Sequence, residues 1–411
     1  MNLENVLKAL ADALAGEGPA VQLQPGDGPG AEPIMTLIPQ EDLALGFGGT
    51  LDGEIAAVVA TSGSTGTPKR TLLGVEALAA SSVGTAIALG GEGQWLLALP
   101  VHYVAGLQVL VRSLFAGTRP WAMDLSRGFT PEAFTAAAGE LTDNIRYTSL
   151  VPTQLARLLD NPSAETLAVL RRFNAVLLGG APASRALLDA VRDAGVRVVT
   201  TYGMSETCGG CVYDGVPLEG VQVAVRDGRV WLGGDVLASG YLSAPTLTAA
   251  SFTTDGPGSA GSGEDPVRWY QTGDLGELDA EGRLTVLGRV DDVIITGGLK
   301  VSAHVVAEAL EALPGVRAAF VAGVPDEQWG QRVAAAIAVD GASETTYAAT
   351  KSAIKTAAAK VLDAHAVPKT LLVLDALPLL ASGKADRTVL GTLLAAESAF
   401  DTAVPDTAEG A

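Results

Sequence analysis

The chain has 411 residues, with 27 Lys and Arg against 46 Asp and Glu, for a net charge of −19. That balance excludes the clustered basic surface a nucleic-acid partner requires and leaves an acidic, solvated exterior. Hydrophobic residues make up 48% and mean hydropathy is +0.31, yet no strongly apolar run reaches the ~18 residues of a membrane span, and two cysteines cannot build a disulfide framework.

In chain order, MNLENVLKALADAL opens with apolar residues at helical spacing and an early Glu. It lacks the basic and apolar regions of a secretory leader, so a globular, cytoplasmic protein without stable membrane association is expected. GEIAAVVATSG (53–63) reads as a strand entering a turn, and PKRTLLGVEALAASSVGTAIAL (68–89) as a turn or strand followed by a helix. QWLLALP (94–100), NAVLLGG (174–180) and VRVVTTYG (196–203) read as buried strands. PEAFTAAAGEL (131–141), TQLARLLD (153–160) and ASRALLDAVRDAG (183–195) read as amphipathic helices. This alternation is that of a layered α/β fold. VQVAVRDGRVWL (221–232) predicts a hairpin turning at Asp227-Gly228.

DGPGSAGSGEDP (255–266) is a Gly/Pro/Ser-rich surface loop. Beyond residue 290 the pattern changes to a helix near 303–312, strands near 317–323 and 332–339, a helix near 346–364 and a strand near 369–375. The expected organisation is a large multilayer domain over 1–290, with β-sheets flanked by helices and carrying the nucleotide and acid sites. A small mobile α+β C-terminal domain follows over 291–411. The acidic, Ala-rich tail beyond 395 is expected to fray.

Cys208 and Cys211 have C-x-x-C spacing, but they follow YGMSET in a Gly-rich loop, and His102, His304 and His365 are scattered. A closed zinc site needs about four ligands, so neither metal nor redox chemistry is expected of the pair.

TSGSTGTPK, Thr61 to Lys69, combines two glycines with three threonines and two serines. Such a loop can wrap phosphate oxygens with neutral donors, and it is not the G-x-x-x-x-G-K-[ST] phosphate loop. Three further strings stand out. TTYGMSET (200–207) follows a predicted strand, a run of about thirty residues spans Tyr270 to Ser302, and ASGKADR (381–387) lies near the C-terminus.

In kind, order and spacing these strings resemble the adenylate-forming superfamily, which includes acyl-CoA synthetases, peptide-synthetase adenylation domains and luciferases. The resemblance covers roughly residues 50–390, and the first fifty match nothing recognisable. It implies ATP, Mg²⁺ and CoA as cofactor and co-substrates. Thr61, Ser62, Gly63, Ser64, Thr65, Gly66, Thr67 and Lys69 are then the phosphate loop. Gly180 and Ala181, within GGAPAS, line the adenine and acyl pocket; Tyr202 stacks on adenine with Gly203 beside it, and Ser205 lies near the α-phosphate. Glu206 holds Mg²⁺, which suits an ion bound by one or two carboxylates plus phosphate oxygens and water. Asp274 and Arg289 hold the ribose, and Asp291 marks the interdomain hinge. Lys384 is the adenylation lysine, bridging carboxylate and α-phosphate as charge redistributes. His102, in ALPVHYVAGL, gates the acid site, and Gly297 and Gly298 approach pantetheine.

The implied reaction is attack of a carboxylate on the α-phosphorus of ATP, then thiol attack on the acyl-AMP, with the small domain swinging between the two steps. LPVHYVAGLQVLVRSL (99–114), SLVPTQLARLL (149–159) and LLGGAPAS most resemble 2-succinylbenzoate–CoA ligases of menaquinone biosynthesis. His102, Thr153, Gln154 and Arg185 are candidates to line the pocket of that dianion. Another aryl or medium-chain acyl-CoA ligase, or an adenylation enzyme loading a carrier protein, remains open on these strings.

Overall fold

The computed structural model describes residues 3–27, 31–47, 51, 53–61, 68–254, 256, 267–339, 347–380 and 384–403. Most of the 255–266 loop lies outside them. The chain divides into two compact units, Met1–Ala183 with Leu187–Thr272 and Leu278–Thr285, and Ser184–Ala186 with Gly273–Glu277 and Val286–Ala411.

In the first unit a seven-stranded sheet runs in the order Val216–Pro217, Gly209–Tyr213, Val198–Met204, Ala175–Leu178, Arg146–Leu150, Gln94–Leu97, Trp121–Ala122. From Val198–Met204 to Trp121–Ala122 the pairing is parallel, which requires crossovers. Helices Val104–Phe115, Pro131–Gly139, Pro152–Leu159 and Arg185–Ala194 lie in those connections. The strands are apolar on both faces. Trp95, Leu97, Ala175 and Leu177 enter one buried cluster, while Leu96, Val176 and Leu178 enter another. The period-2 switch places helical layers on both sides of the sheet.

The first of those clusters also takes Leu10, Leu78 and Leu110 from three helices, and Val21, Ala57, Val59 and Leu73 from a second sheet. That sheet runs Gly240–Tyr241, Lys69–Gly74, Ile55–Thr61, Ala20–Gln24, Ile34–Ile38. The N-terminal fifty residues therefore supply a helix and two strands to the large core, a role their sequence did not announce. A third sheet contains the predicted hairpin, Val221–Arg226 with Arg229–Gly234, turning at Asp227 and Gly228 with φ of 53° and 75°.

The second unit has a sheet in the order Leu299–Ser302, Val293–Thr296, Gly330–Val339, Val316–Asp326, with Thr370–Leu374 parallel to Gly330–Val339. Along Gly330–Val339, Val333, Ala335 and Ile337 pack in one cluster and Ala334 and Ala336 in the other. Two sequence expectations are corrected here. The Ala/Lys helix is Tyr347–Ala358, not 346–364, because the chain tightens after Ala358 into turns such as Val361 N–H to Ala358 O. The tail is helical to Ala403: Leu390, Leu394 and Ser398, four residues apart, are buried on one face, and Lys351 pairs with Glu397. The part of the expectation that falls on 404–411 lies outside the described residues.

Candidate functional site

In the first unit the candidate residues gather where parallel strands end, the usual ligand edge of an open α/β sheet. His102 follows Gln94–Leu97, Thr153 and Gln154 follow Arg146–Leu150, Gly180 and Ala181 follow Ala175–Leu178, and Tyr202 to Glu206 close Val198–Met204.

The TTYGMSET segment is held by its own hydroxyl. Thr207 Oγ1 accepts from Met204 N–H and donates toward Gly209 O at 2.7 Å, while Cys208, in left-handed conformation at φ 52°, closes the turn Ser205–Thr207 onto Ser205 O. At Gly203 a Cβ would lie 2.1 Å from Gly209 O, so only glycine lets the two strands approach here. Tyr202 is half-buried and pairs across the ladder with Val212, and Ser205 is buried.

Glu206 is 8% exposed and Tyr241 1%. The Tyr241 hydroxyl donates to Glu206 Oε1 at 2.7 Å; among the described residues Oε2 meets no hydrogen-bond donor. Burial and the neighbouring Glu206 carboxylate push the Tyr241 phenol well above the tyrosine range, so it stays a donor. No group of three or more His, Cys, Asp or Glu is assembled for a metal among the described residues. A lone hard oxygen donor fits magnesium when phosphate and water supply the remaining ligands.

Thr61 and Lys69 face each other in the antiparallel ladder. Ser62, Gly63, Ser64, Thr65, Gly66 and Thr67 lie outside the described residues. Lys69 Nζ stands 5.4 Å from the centre of the Tyr241 ring. Gly180 has φ 83° and, like Ala181, is exposed.

His102 is half-buried, its ring 4.3 Å from that of Tyr103, and its buried Nδ1 has no hydrogen-bond partner among the described residues. Burial lowers its pKa, so the neutral imidazole prevails at pH 7. Gln154 is engaged at both ends of its amide: Nε2 donates to Ala98 O at 2.9 Å and Oε1 accepts from Val151 N–H at 3.0 Å. It starts the helix and ties it to the adjacent strand end, a structural role served by both ends of the amide. Thr153 is half-buried beside it and Arg185 is exposed. Cys208 and Cys211 are free, fully buried thiols, and burial pushes Cys211 up to about 12.

In the second unit Asp274 is 9% exposed and receives Arg289 Nη1 at 3.5 Å. The guanidinium covers Gly273, whose added Cβ would sit 2.8 Å from Nη2, and Nη2 lies 3.8 Å from Asp291. Lys384 keeps exposed surface. Its pKa is nevertheless lowered, first by the atoms that desolvate the ammonium and then by Arg289, with Asp274 opposing. The lysine thus shares its electrostatic environment with both ribose candidates. Its backbone carbonyl accepts from Leu380 N–H at 2.8 Å, and Leu379 bridges Ala385. Gly297 and Gly298, at φ 56° and 81°, form the turn between Val293–Thr296 and Leu299–Ser302. Gly297 N–H donates to Trp329 O, and a Cβ there would meet the Trp329 ring at 2.7 Å.

Sequence reasoning missed Tyr241, Arg268 and Arg387. Arg268 donates to Ala238 O at 2.7 Å and Ser239 O at 2.8 Å and covers the Phe252 ring, holding the backbone just before Tyr241. Arg387 pairs with Asp292. These hydrogen-bond partners lie 29 to 95 residues apart, and no local spacing signals them.

Residues 50–242 match the AMP-binding enzyme family, and residues 306–384 match the AMP-binding enzyme C-terminal domain. A Mycobacterium tuberculosis protein named "probable 2-succinylbenzoate–CoA ligase" is 44% identical over 377 residues, covering 90% of this chain and 93% of that one. The o-succinylbenzoate CoA synthetase of Bacillus subtilis, in complex with its acyl-adenylate intermediate, superimposes with a TM-score of 0.68 at 28% identity. That match covers 83% of this chain and 70% of the other. The same enzyme in complex with ATP and magnesium ion gives a TM-score of 0.66 at 28% identity, over 82% and 70% of the two chains.

Proposed function

The chain belongs to the AMP-binding enzyme family, and from that premise we propose that it is a 2-succinylbenzoate–CoA ligase that works through an acyl-AMP intermediate. The observation carrying the substrate is the 44% identity to a protein of that name across 93% of its length, well beyond the nucleotide motifs common to all adenylate-forming enzymes.

A carboxylate is a poor electrophile. Joining it to the α-phosphate of ATP, with loss of pyrophosphate, supplies a leaving group that a thiol can displace. The chain's contribution is positioning and the neutralisation of developing charge. Tyr202 is assigned to the adenine and Asp274 with Arg289 to the ribose. Lys384 is assigned to the carboxylate and α-phosphate, where its cation balances charge in the transition state. Glu206 would hold Mg²⁺, whose chemistry is to neutralise the phosphate oxygens. The Thr61–Lys69 loop supplies neutral donors to the same phosphates. His102, neutral at pH 7 and with a buried Nδ1 that has no partner among the described residues, is assigned to the acid pocket, where it offers a hydrogen bond to a substrate carboxylate or ketone. CoA is the assigned acceptor, with Gly297 and Gly298 on its path and Asp291 at the hinge between the half-reactions. The boundary between a large and a small domain is assigned near residue 290. No helix among the described residues is long and apolar enough to cross a membrane, in keeping with a cytoplasmic setting for soluble substrates.

The test is a substrate panel of 2-succinylbenzoate, benzoate, hexanoate and several amino acids, with ATP, Mg²⁺ and CoA and mass-spectrometric detection of the thioester. Preference for 2-succinylbenzoate supports the assignment. Preference for another acid keeps the chemistry and discards the substrate.

A further inference from the structure

We propose that Tyr241 is the positioning residue of the metal carboxylate: its hydroxyl fixes one oxygen of Glu206 and thereby presents the other to the cation. The inference rests on the assignment of Glu206 to magnesium made above.

The contact is short and dry. Tyr241 Oη donates to Glu206 Oε1 at 2.7 Å, with both residues less than 10% exposed. The donor is fixed on every side. Tyr241 N–H reaches Thr248 Oγ1 at 2.9 Å, and the residue pairs with Thr71 on the strand that begins at Lys69. Arg268 grips the two carbonyls at 238 and 239, and the Tyr241 ring packs on Phe252, which packs on Tyr270. Even the Glu206 carbonyl is engaged, accepting from Ala238 N–H at 2.9 Å. Because a phenol lies along its own flip axis, ring motion leaves the hydroxyl in place.

The chemistry of the donor matters as much as its position. A buried carboxylate needs a donor. An Arg or Lys in this role would neutralise the charge that attracts a divalent cation. A phenol donating its hydroxyl satisfies one oxygen and, being uncharged, leaves the full negative charge in place. Such outer partners orient metal-binding carboxylates, and their loss costs about 10- to 100-fold in metal affinity. The Lys69 cation lies over the face of the same ring, so the hydroxyl that sets Glu206 belongs to a side chain also in contact with the last residue of the candidate phosphate loop.

The experiment compares wild type, Tyr241→Phe, Glu206→Gln and the double variant. Mn²⁺ binding in the presence of α,β-methylene-ATP is read by electron paramagnetic resonance, and AMP binding without metal by calorimetry. Tyr241→Phe is expected to weaken Mn²⁺ binding about tenfold or more while AMP affinity stays within about twofold, and to add nothing further in the Glu206→Gln background. Wild-type Mn²⁺ affinity in Tyr241→Phe, or equal losses for Mn²⁺ and AMP, overturns the positioning role. Wild-type Mn²⁺ affinity in Glu206→Gln instead overturns the assignment on which it rests. Should Tyr241→Phe not fold, Glu206→Asp breaks the contact from the other side by withdrawing a charged carboxylate from the hydroxyl. Weak Mn²⁺ binding there supports the role and undiminished binding overturns it.

Discussion

Arg387 holds Asp292 with both guanidinium nitrogens, Nη1 at 3.0 Å from Oδ2, and lays its plane 5.7 Å from the centre of the Phe320 ring. The pair joins the helix Arg387–Ala403, which begins three residues after Lys384, to the turn Val290–Asp292, which contains Asp291. Arg387→Met is expected to slow acyl-AMP formation by about tenfold, since misplacing a catalytic group weakens positioning. Partial exposure of the pair limits the stability cost to about 1 kcal/mol. Pyrophosphate release and thermal denaturation measured side by side separate the two effects; a large loss of stability with normal activity contradicts the tether.

Lys384→Ala is expected to lower acyl-AMP formation by about 10²- to 10³-fold, the cost of removing one preorganised charge from a transition state. Thiolysis of supplied acyl-AMP should persist, because that step needs no cation at the α-phosphate. Equal loss of both steps contradicts the assigned role.

The same lysine predicts a pH dependence. Its pKa lies below the ordinary value of 10.5, through desolvation and then Arg289. In the role assigned to Lys384 adenylation requires the cation, so the rate is expected to fall as pH rises through this lowered pKa, at a lower pH than an unperturbed lysine would give. Removing the repulsion with Arg289→Gln raises the pKa, and the alkaline limb of the profile should move to higher pH. A limb that stays in place or moves the other way denies the coupling.

Glu206→Gln keeps the shape of the side chain and removes its charge. It is expected to raise the Mg²⁺ concentration needed for half-maximal pyrophosphate release by about tenfold or more. An unchanged magnesium requirement takes Glu206 out of the metal site.

The strand ends and turns of the site were legible because glycine and hydroxyl residues punctuate them. Asp227-Gly228 announced its hairpin, and TTYGMSET lies on the strand end expected of it. Tyr241 was not legible: it sits in a two-residue strand, Gly240–Tyr241, and its importance comes from a carboxylate 35 residues away. Gln154 was ambiguous for the opposite reason. Both a pocket donor and a helix start fit an amide at that position in the sequence, and the fold shows the second role, with Ala98 and Val151 bonded at its two ends. The C-terminal helix was under-read because its Ala and acidic residues drew attention from the buried stripe at Leu390, Leu394 and Ser398. The Tyr347–Ala358 helix was over-read because helix propensity does not mark where tertiary packing ends a helix.

The most direct test incubates the protein with ATP, Mg²⁺ and 2-succinylbenzoate, quantifies enzyme-bound acyl-AMP and pyrophosphate in a single turnover without CoA, and then adds CoA. Stoichiometric acyl-AMP that converts to the CoA thioester on addition is the predicted result. Absence of acyl-AMP with this acid, while another acid supports it, contradicts the proposed substrate; absence with every acid contradicts the adenylate-forming role itself.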